Sequence, residues 1–197
     1  MSDPIRILAV SGSLRERSFN RALLRAAAEL APPGVELVEA DLAPIPLYDG
    51  DVEASGAPPA VEELRAAVRE ADALLLATPE YNRGTSGVLK NAIDWLSRPA
   101  LASVLRWKPV AIMGATTGRG GTRRAQEQVR EALLFPGAEV VEGHDVAIPL
   151  ARDVFDAEGG RLVDGRARAA VAELLEALAE AARASSAPRP APVTAAA

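Results

Sequence analysis

The run Ile5-Arg-Ile-Leu-Ala-Val10, followed by Ser11-Gly-Ser-Leu-Arg-Glu-Arg-Ser-Phe-Asn20, sets the fold of this chain. An apolar run of strand length passes into a polar loop, and a helical pattern begins where the loop ends. The same succession recurs where Ala73–Thr78 passes into Pro79-Glu-Tyr-Asn82. Repeated strand–loop–helix units are typical of an α/β protein with a parallel sheet.

Five strands and five helices of this kind can be placed along the chain. The predicted strands are Ile5–Val10, Val35–Glu39, Ala73–Thr78, Pro109–Ala115 and Ala138–Val141, the last resuming near Val146–Ile148. The predicted helices cover about 20–31, 59–70, 87–98, 121–135 and 166–183. We therefore predict one domain over residues 1–183, a three-layer, doubly wound sheet of five parallel strands in the flavodoxin-like order 2-1-3-4-5. Residues 184–197 are rich in Ala and Pro without periodicity, which predicts a disordered tail.

Composition excludes several classes of function. The net charge of −5 argues against a nucleic-acid partner, because a phosphate backbone requires a basic surface. The chain has no cysteine, which excludes disulfides and thiolate chemistry, and the single histidine, His144, cannot form a His-based metal site. With no secretory signal and no apolar run of membrane length, we expect a cytoplasmic protein without a membrane partner or a metal.

The two polar loops are expected to meet at one site. Ligands of open parallel sheets bind outside the carboxyl ends of the strands, where the strand order reverses. In the order 2-1-3-4-5 this point lies between the first and third strands, and in flavodoxin FMN occupies it. The loops after Val10 and Thr78 both end at this edge.

The first loop is suited to a phosphate group. Hydroxyls of Ser11, Ser13 and Ser18 can donate hydrogen bonds, Arg15 can add a charged contact, and Asn20 can cap the helix or contact a ligand. The G-x-G-x-x-G spacing of dinucleotide folds is absent here, which favours a mononucleotide such as FMN over FAD or NAD. The alternative is an ordinary polar loop with a helix cap.

Two later loops complete the candidate site. Pro79 fixes a turn, Asn82 tolerates unusual backbone angles, and Tyr81 can pack beside a flavin ring. After the fourth strand, Gly114–Arg123 is rich in glycine. Its candidates for contact with the ring are Thr116, Thr117 and Gly118, and candidates for the phosphates of a nicotinamide cofactor are Arg119, Arg123 and Arg124. A flexible, glycine-rich segment that leads into the N-terminus of a helix explains these arginines equally well.

The segment Leu89-Lys-Asn-Ala-Ile-Asp-Trp95 also has two interpretations. It is either a buried helix face or, if Trp95 is partly exposed, a dimer interface. No Gly-x-Ser-x-Gly elbow is present, so hydrolase chemistry has little support.

The motifs Gly12-Ser-Leu-Arg15, Ser18-Phe-Asn20, Pro79-Glu-Tyr-Asn82 and Leu89–Trp95, in this order, resemble the NADPH-dependent FMN reductase family. That family includes bacterial quinone, chromate and azo-dye reductases with a flavodoxin-like fold. The resemblance covers about residues 5–135. One departure is Ser86, where many relatives carry a proline, and it predicts a looser loop.

The resemblance implies an enzyme with FMN as cofactor and NADPH or NADH as co-substrate. The FMN phosphate would lie in the loop 11–20, above all at Ser13, Arg15, Ser18 and Asn20, with Phe19 among them. The ring would lie against Pro79, Glu80, Tyr81 and Asn82, with Thr116 near its pyrimidine side. Members are typically dimers or tetramers, in which the third predicted helix contributes to the interface.

We therefore hypothesise an FMN-dependent NAD(P)H oxidoreductase that works by ping-pong hydride transfer. Its acceptor would be a quinone, a free flavin, an azo compound or a metal oxyanion, and no side chain is expected to be catalytic, because the flavin carries the chemistry. The alternative is a flavodoxin-like electron carrier that holds FMN without binding NADPH. Arg15 weighs against it, because the phosphate loop of such carriers is typically shorter and rich in threonine.

Overall fold

The computed structural model describes residues 4–185, apart from the side chain of Leu101. Six strands form one parallel sheet within this range: β1 Ile5–Ser11, β2 Val35–Ala40, β3 Ala73–Ala77, β4 Pro109–Ala115, β5 Glu139–Val140 and β6 Val146–Ile148. The order is β2-β1-β3-β4-β5, and β6 also pairs with β4. The predicted order 2-1-3-4-5 is confirmed, and the predicted fifth strand is interrupted, with both of its pieces lying beside β4.

The helices cover both faces of the sheet. They are α1 Phe19–Leu30, α2 Gly50–Ser55, α3 Pro59–Glu70, α4 Gly87–Leu96, α5 Arg123–Leu134, α6 Ala151–Val154 and α7 Gly165–Ser185, with a short 3₁₀ helix at Ala100–Ala102. One core contains α1 and α7, and the other contains α3, α4 and α5. The predicted three-layer, doubly wound architecture is therefore confirmed.

Some boundaries differ from the sequence-based prediction. The short helices α2 and α6 were not predicted, because six or four residues are too few to show a hydrophobic period. The last helix continues to Ser185, two residues beyond its predicted end. The predicted tail otherwise lies outside the described residues. No helix within residues 4–185 has the length and apolar character needed to cross a bilayer.

Successive side chains of the central strands point to opposite faces of the sheet, and this alternation divides the core into two halves. In β3, Leu75 packs on the α1/α7 side, whereas Leu74 and Leu76 pack on the opposite side. Every residue of β3 and β4 is buried, as expected for parallel strands that are covered on both faces. The unbroken apolar runs in the sequence therefore correspond to the two central strands.

The segment Leu89–Trp95 is a buried helix face. The indole of Trp95 is fully buried, and its Nε1 donates to the Pro46 carbonyl oxygen at 2.8 Å. Asn91 Nδ2 donates to the same oxygen at 2.8 Å, while Asn91 Oδ1 accepts from the Tyr48 N–H at 2.8 Å. The motif thus anchors the loop that contains Pro46 and Tyr48, and the Trp95 side chain is not accessible to a partner.

At Gly114, the penultimate residue of β4, neighbouring segments approach the backbone too closely to admit a side chain. A Cβ atom at this position would lie 2.2 Å from the Thr78 carbonyl oxygen and 2.4 Å from Thr122 Oγ1. Only glycine fits there, because one of the contacting atoms belongs to the backbone. This close approach brings Thr78, directly after β3, against the end of β4, at the edge where the polar loops begin.

We predict that Gly114→Ala lowers the free energy of unfolding by about 3 kcal/mol or more, since the added methyl group displaces buried backbone. Gly120→Ala is the matched control, because a Cβ at Gly120 meets no atom within 4 Å. Urea denaturation of both variants measures the difference. Equal stability of the two variants would contradict the close packing around Gly114.

Candidate functional site

A cavity of about 80 Å³ lies at the carboxyl ends of β1, β3 and β4. Three loops form it, one after each of these strands. Its lining residues are Ser13, Arg15, Ser18, Phe19, Asn20, Pro79, Glu80, Tyr81, Ala115, Thr116 and Thr117. Ten of the thirteen site residues named from the sequence are therefore together, although up to 104 positions separate them in the chain.

The other three predicted residues support the loops without lining the cavity. Ser11 Oγ accepts from the Ser13 N–H at 3.2 Å. Asn82 lies in the tip of the second loop, and the Gly118 N–H donates to Thr116 Oγ1 at 3.3 Å. Ala115 is the lining residue that the sequence did not indicate, because it stands as an ordinary apolar residue at the end of a predicted strand.

The first loop presents hydrogen-bond donors to the cavity. Ser18 caps α1, and its Oγ accepts from the Asn20 N–H at 3.2 Å. Ser13 is only 4 % exposed, and its hydroxyl forms no hydrogen bond with any residue from 4 to 185. The Arg15 guanidinium is exposed and lines the cavity without an ion pair to a described carboxylate. Hydroxyls, a guanidinium and a helix N-terminus form a donor set that suits a phosphate group.

Asn20 joins this loop to the end of β4. Its Nδ2 donates to the Ala115 carbonyl oxygen at 3.0 Å, and its Oδ1 accepts from the Ala115 N–H at 2.9 Å. The amide is 3 % exposed, so both bonds are sheltered from water. Of the two roles that the sequence suggested, the cap belongs to Ser18 instead, and the Asn20 amide is occupied by backbone groups.

The second loop is a tight hairpin. The Tyr81 N–H donates to the Gly84 carbonyl oxygen at 2.9 Å, and the Gly84 N–H donates back to Tyr81 at 3.0 Å. Asn82 and Arg83 between them have φ angles of 51° and 68°, the left-handed pair that a type I′ turn requires. Asparagine tolerates this conformation, whereas Arg83 is strained in it by about 1 kcal/mol. The turn holds Tyr81, 48 % exposed, at the mouth of the cavity.

Neighbouring elements hold the hairpin in place. Gln128 of α5 accepts from the Thr85 N–H through Oε1 at 2.9 Å, and the Thr78 and Thr85 hydroxyls lie 2.8 Å apart. Ser86 is the N-cap of α4, and its Oγ accepts from the Leu89 N–H at 3.2 Å. The serine cap therefore fixes the start of the helix, while the looser loop expected from a serine at this position stays a prediction. Gln128 gave no signal in the sequence, since it stands within an ordinary helical pattern.

The first and second loops touch at Gly12. Its N–H donates to the Ala77 carbonyl oxygen at 2.9 Å, which extends the pairing of β1 with β3. A Cβ on Gly12 would lie 3.0 Å from Pro79 Cδ and 3.0 Å from Ser86 Oγ. The absence of a side chain lets the two loops converge, as expected from the sequence.

The third loop continues beside β6. The Thr116 N–H donates to the Ile148 carbonyl oxygen at 3.0 Å, and the Thr116 carbonyl accepts from the Ala151 N–H at 2.9 Å. The candidate arginines of this loop, Arg119, Arg123 and Arg124, are not among the lining residues. Arg123 forms an exposed ion pair with Asp145 at 3.5 Å.

Comparisons with known proteins agree with this geometry. A model of the family described as NADPH-dependent FMN reductase matches residues 5–153. The chain is 51 % identical over 178 residues to an NAD(P)H-dependent FMN reductase of Pseudomonas aeruginosa, covering 90 % of this chain and 95 % of that protein. It is 42 % identical over 166 residues to an NADPH:quinone oxidoreductase of Arabidopsis thaliana, covering 81 % and 83 %.

A solved structure is also similar. FerB, a flavoenzyme NAD(P)H:(acceptor) oxidoreductase from Paracoccus denitrificans, superposes with a TM-score of 0.82 at 29 % identity, covering 91 % of this chain and 98 % of that one.

We predict that Asn20→Ala lowers the free energy of unfolding by about 2–4 kcal/mol, because both backbone groups of Ala115 would stay buried without a partner. Arg25→Ala serves as control, since Arg25 is exposed on the same helix. Thermal and urea unfolding measure the effect. A loss no larger than that of the control would show that the Asn20 amide does not hold the loops together.

Proposed function

The chain belongs to the NADPH-dependent FMN reductase family, and from that premise we propose how its three-loop cavity holds the cofactor. The protein is an oxidoreductase that uses FMN and NAD(P)H. The observation that carries the proposed placement is the donor set of the first loop, where Ser13, Arg15 and Ser18 line one cavity at the start of α1. These groups match a phosphate monoester in charge and in hydrogen-bonding character.

The proposed phosphate position uses the whole loop 11–20. Ser13 and Ser18 donate through their hydroxyls, and Arg15 supplies the positive charge. Ser11 and Asn20 act indirectly, since their side chains bind backbone groups that shape the loop. Phe19 contributes an apolar wall beside them.

The proposed ring position lies between the second and third loops. Pro79 and Tyr81 provide apolar surface, and Thr116 and Thr117 line the same cavity. The Glu80 carboxylate accepts from the Ala125 N–H near the start of α5 at 3.4 Å, which holds this segment in place. Asn82 and Gly118 fix the backbone of the two loops.

Bound FMN would supply hydride transfer, accepting a hydride from NAD(P)H and delivering it to the acceptor in a ping-pong cycle. The side chains of the cavity bind and orient. The open mouth beside Tyr81 leaves room for the two substrates to bind one after the other. Reduction of a quinone also consumes a proton, which solvent at the open mouth would supply without a described side chain.

A quinone is the acceptor that we propose first. Relatives 39 % and 42 % identical to this chain are named quinone reductase and NADPH:quinone oxidoreductase. Free flavins, azo compounds and metal oxyanions are further candidates for the same open site.

We also propose a homodimer or homotetramer located in the cytoplasm. The electron carrier considered from the sequence loses its support, since the curated relatives are named for their use of NAD(P)H.

We predict that anaerobic NADPH removes the blue absorption band of FMN bound to this protein, without any partner protein. Subsequent addition of a quinone under the same conditions restores the band. A bound flavin that stays oxidised with both NADPH and NADH would contradict the proposed reductase activity.

We predict that Arg15→Ala weakens FMN binding by about 1.5–3 kcal/mol, because the phosphate dianion loses a charged partner. Fluorescence titration of the apoprotein with FMN measures the change. Arg25→Ala removes the same charge from an exposed position outside the cavity and should leave the affinity unchanged. An Arg15 variant that binds FMN as tightly as this control would place the phosphate elsewhere.

A further inference from the structure

A second groove of about 360 Å³ adjoins the cavity. Its lining residues are Arg15, Arg17, Phe19, Arg152, Asp156, Ala157, Glu158 and Gly159. Arg15 and Phe19 line both spaces, so the groove and the cavity are contiguous. The proposed placement of FMN does not use the remainder of this groove.

The groove collects positive charge in a chain that is acidic overall. Arg15, Arg17 and Arg152 are exposed, and none forms an ion pair with a carboxylate within residues 4–185. The acidic groups that face them are Asp156 and Glu158. An arginine fork binds phosphate oxygens in pairs, which a single ammonium group cannot do.

The carboxylate of Asp156 is already engaged within its own turn. Its Oδ1 accepts from the Gly160 N–H at 2.7 Å and from the Arg161 N–H at 3.2 Å. Glu158, the second carboxylate that lines the groove, is exposed to solvent. Three guanidinium groups and two carboxylates line the groove, so its lining side chains carry a net positive charge.

The backbone fixes Arg152 relative to the cavity. The N–H of the preceding residue, Ala151, donates to the Thr116 carbonyl oxygen at 2.9 Å, and the Leu150 N–H donates to the Gly118 carbonyl oxygen at 3.0 Å. Leu150 adopts a left-handed conformation, with φ at 45°, to make this turn. The loop proposed to contact the flavin ring therefore also positions the arginine of the groove.

An aromatic wall stands beside these charges. The Phe19 ring packs against Phe155 at a centroid distance of 5.1 Å. Gly159, with φ at 68°, lies against the Phe19 edge, where a Cβ atom would be 3.2 Å from Cε1. The groove thus combines aromatic surface from Phe19 with guanidinium groups, the two features that a phosphorylated nucleoside requires.

We infer that this groove binds the phosphorylated adenosine end of NADPH, with Arg17 and Arg152 contacting its 2′-phosphate. This inference rests on the proposed function, because the nicotinamide end must reach the flavin. It makes Arg17 and Arg152 the residues that favour NADPH over NADH, which lacks that phosphate. The arginines of the third loop, considered for this role from the sequence, lie outside both spaces.

Calorimetric titration of the FMN-loaded protein with 2′,5′-ADP and with 5′-AMP tests the inference without turnover. We expect 2′,5′-ADP to bind about tenfold more tightly or better, the gain of one or more charge-assisted contacts. The double variant Arg17→Ala/Arg152→Ala should lose this preference, and its ratio of kcat/KM for NADPH to that for NADH should fall by a similar factor. The control Arg25→Ala/Arg69→Ala loses the same charge at exposed positions outside the groove and should keep both ratios.

The two proposals fail in distinguishable ways. If the wild-type protein is reduced by both nicotinamides but binds the two nucleotides equally, or if the double variant retains the preference, the groove inference is overturned and the reductase proposal stands. If neither nicotinamide reduces bound FMN, the proposed function fails, whatever the nucleotide titrations give. Circular dichroism of each variant confirms that the substitutions at these exposed positions leave the fold intact.

Discussion

The paired hydrogen bonds between the Asn20 side chain and the Ala115 backbone hold the site together. They link the first turn of α1 to the last residue of β4, 95 positions apart in the sequence. Both Ala115 groups lie at the end of a strand, where they would otherwise need other partners. One buried amide thus satisfies two backbone groups and sets the separation between the first loop and the end of β4, where the third loop begins.

Other contacts hold the remaining loops of the site relative to this link between α1 and β4. Gly12 lets the first loop touch Pro79, and Gln128 and Ser86 hold the hairpin that carries Tyr81. Left-handed conformations at Arg83 and Leu150 lie at two edges of the binding region. Their cost of about 1 kcal/mol each is small beside the contacts that impose them.

Much of the architecture follows from local patterns. The apolar runs at 73–78 and 109–115 predicted the central strands, and the helical period at 59–70 predicted α3 with the bounds that the structure has. Strand order and loop chemistry then placed ten of the lining residues on one edge. The short helices left no periodic signal. The role of Asn20 could not be predicted, because its partners are the backbone atoms of a distant strand. The same holds for Arg152, which only the tertiary fold brings beside Arg17.

Comparison of FMN with riboflavin tests the central claim most directly, since the two flavins differ only in the phosphate. The claim is that the loop from Ser11 to Asn20 binds that phosphate. Fluorescence titration of the apoprotein should show FMN binding at least about 100-fold more tightly than riboflavin, the equivalent of two or more charge-assisted hydrogen bonds. Equal affinities for the two flavins would contradict the account, because the loop would then contribute nothing to recognition of the cofactor.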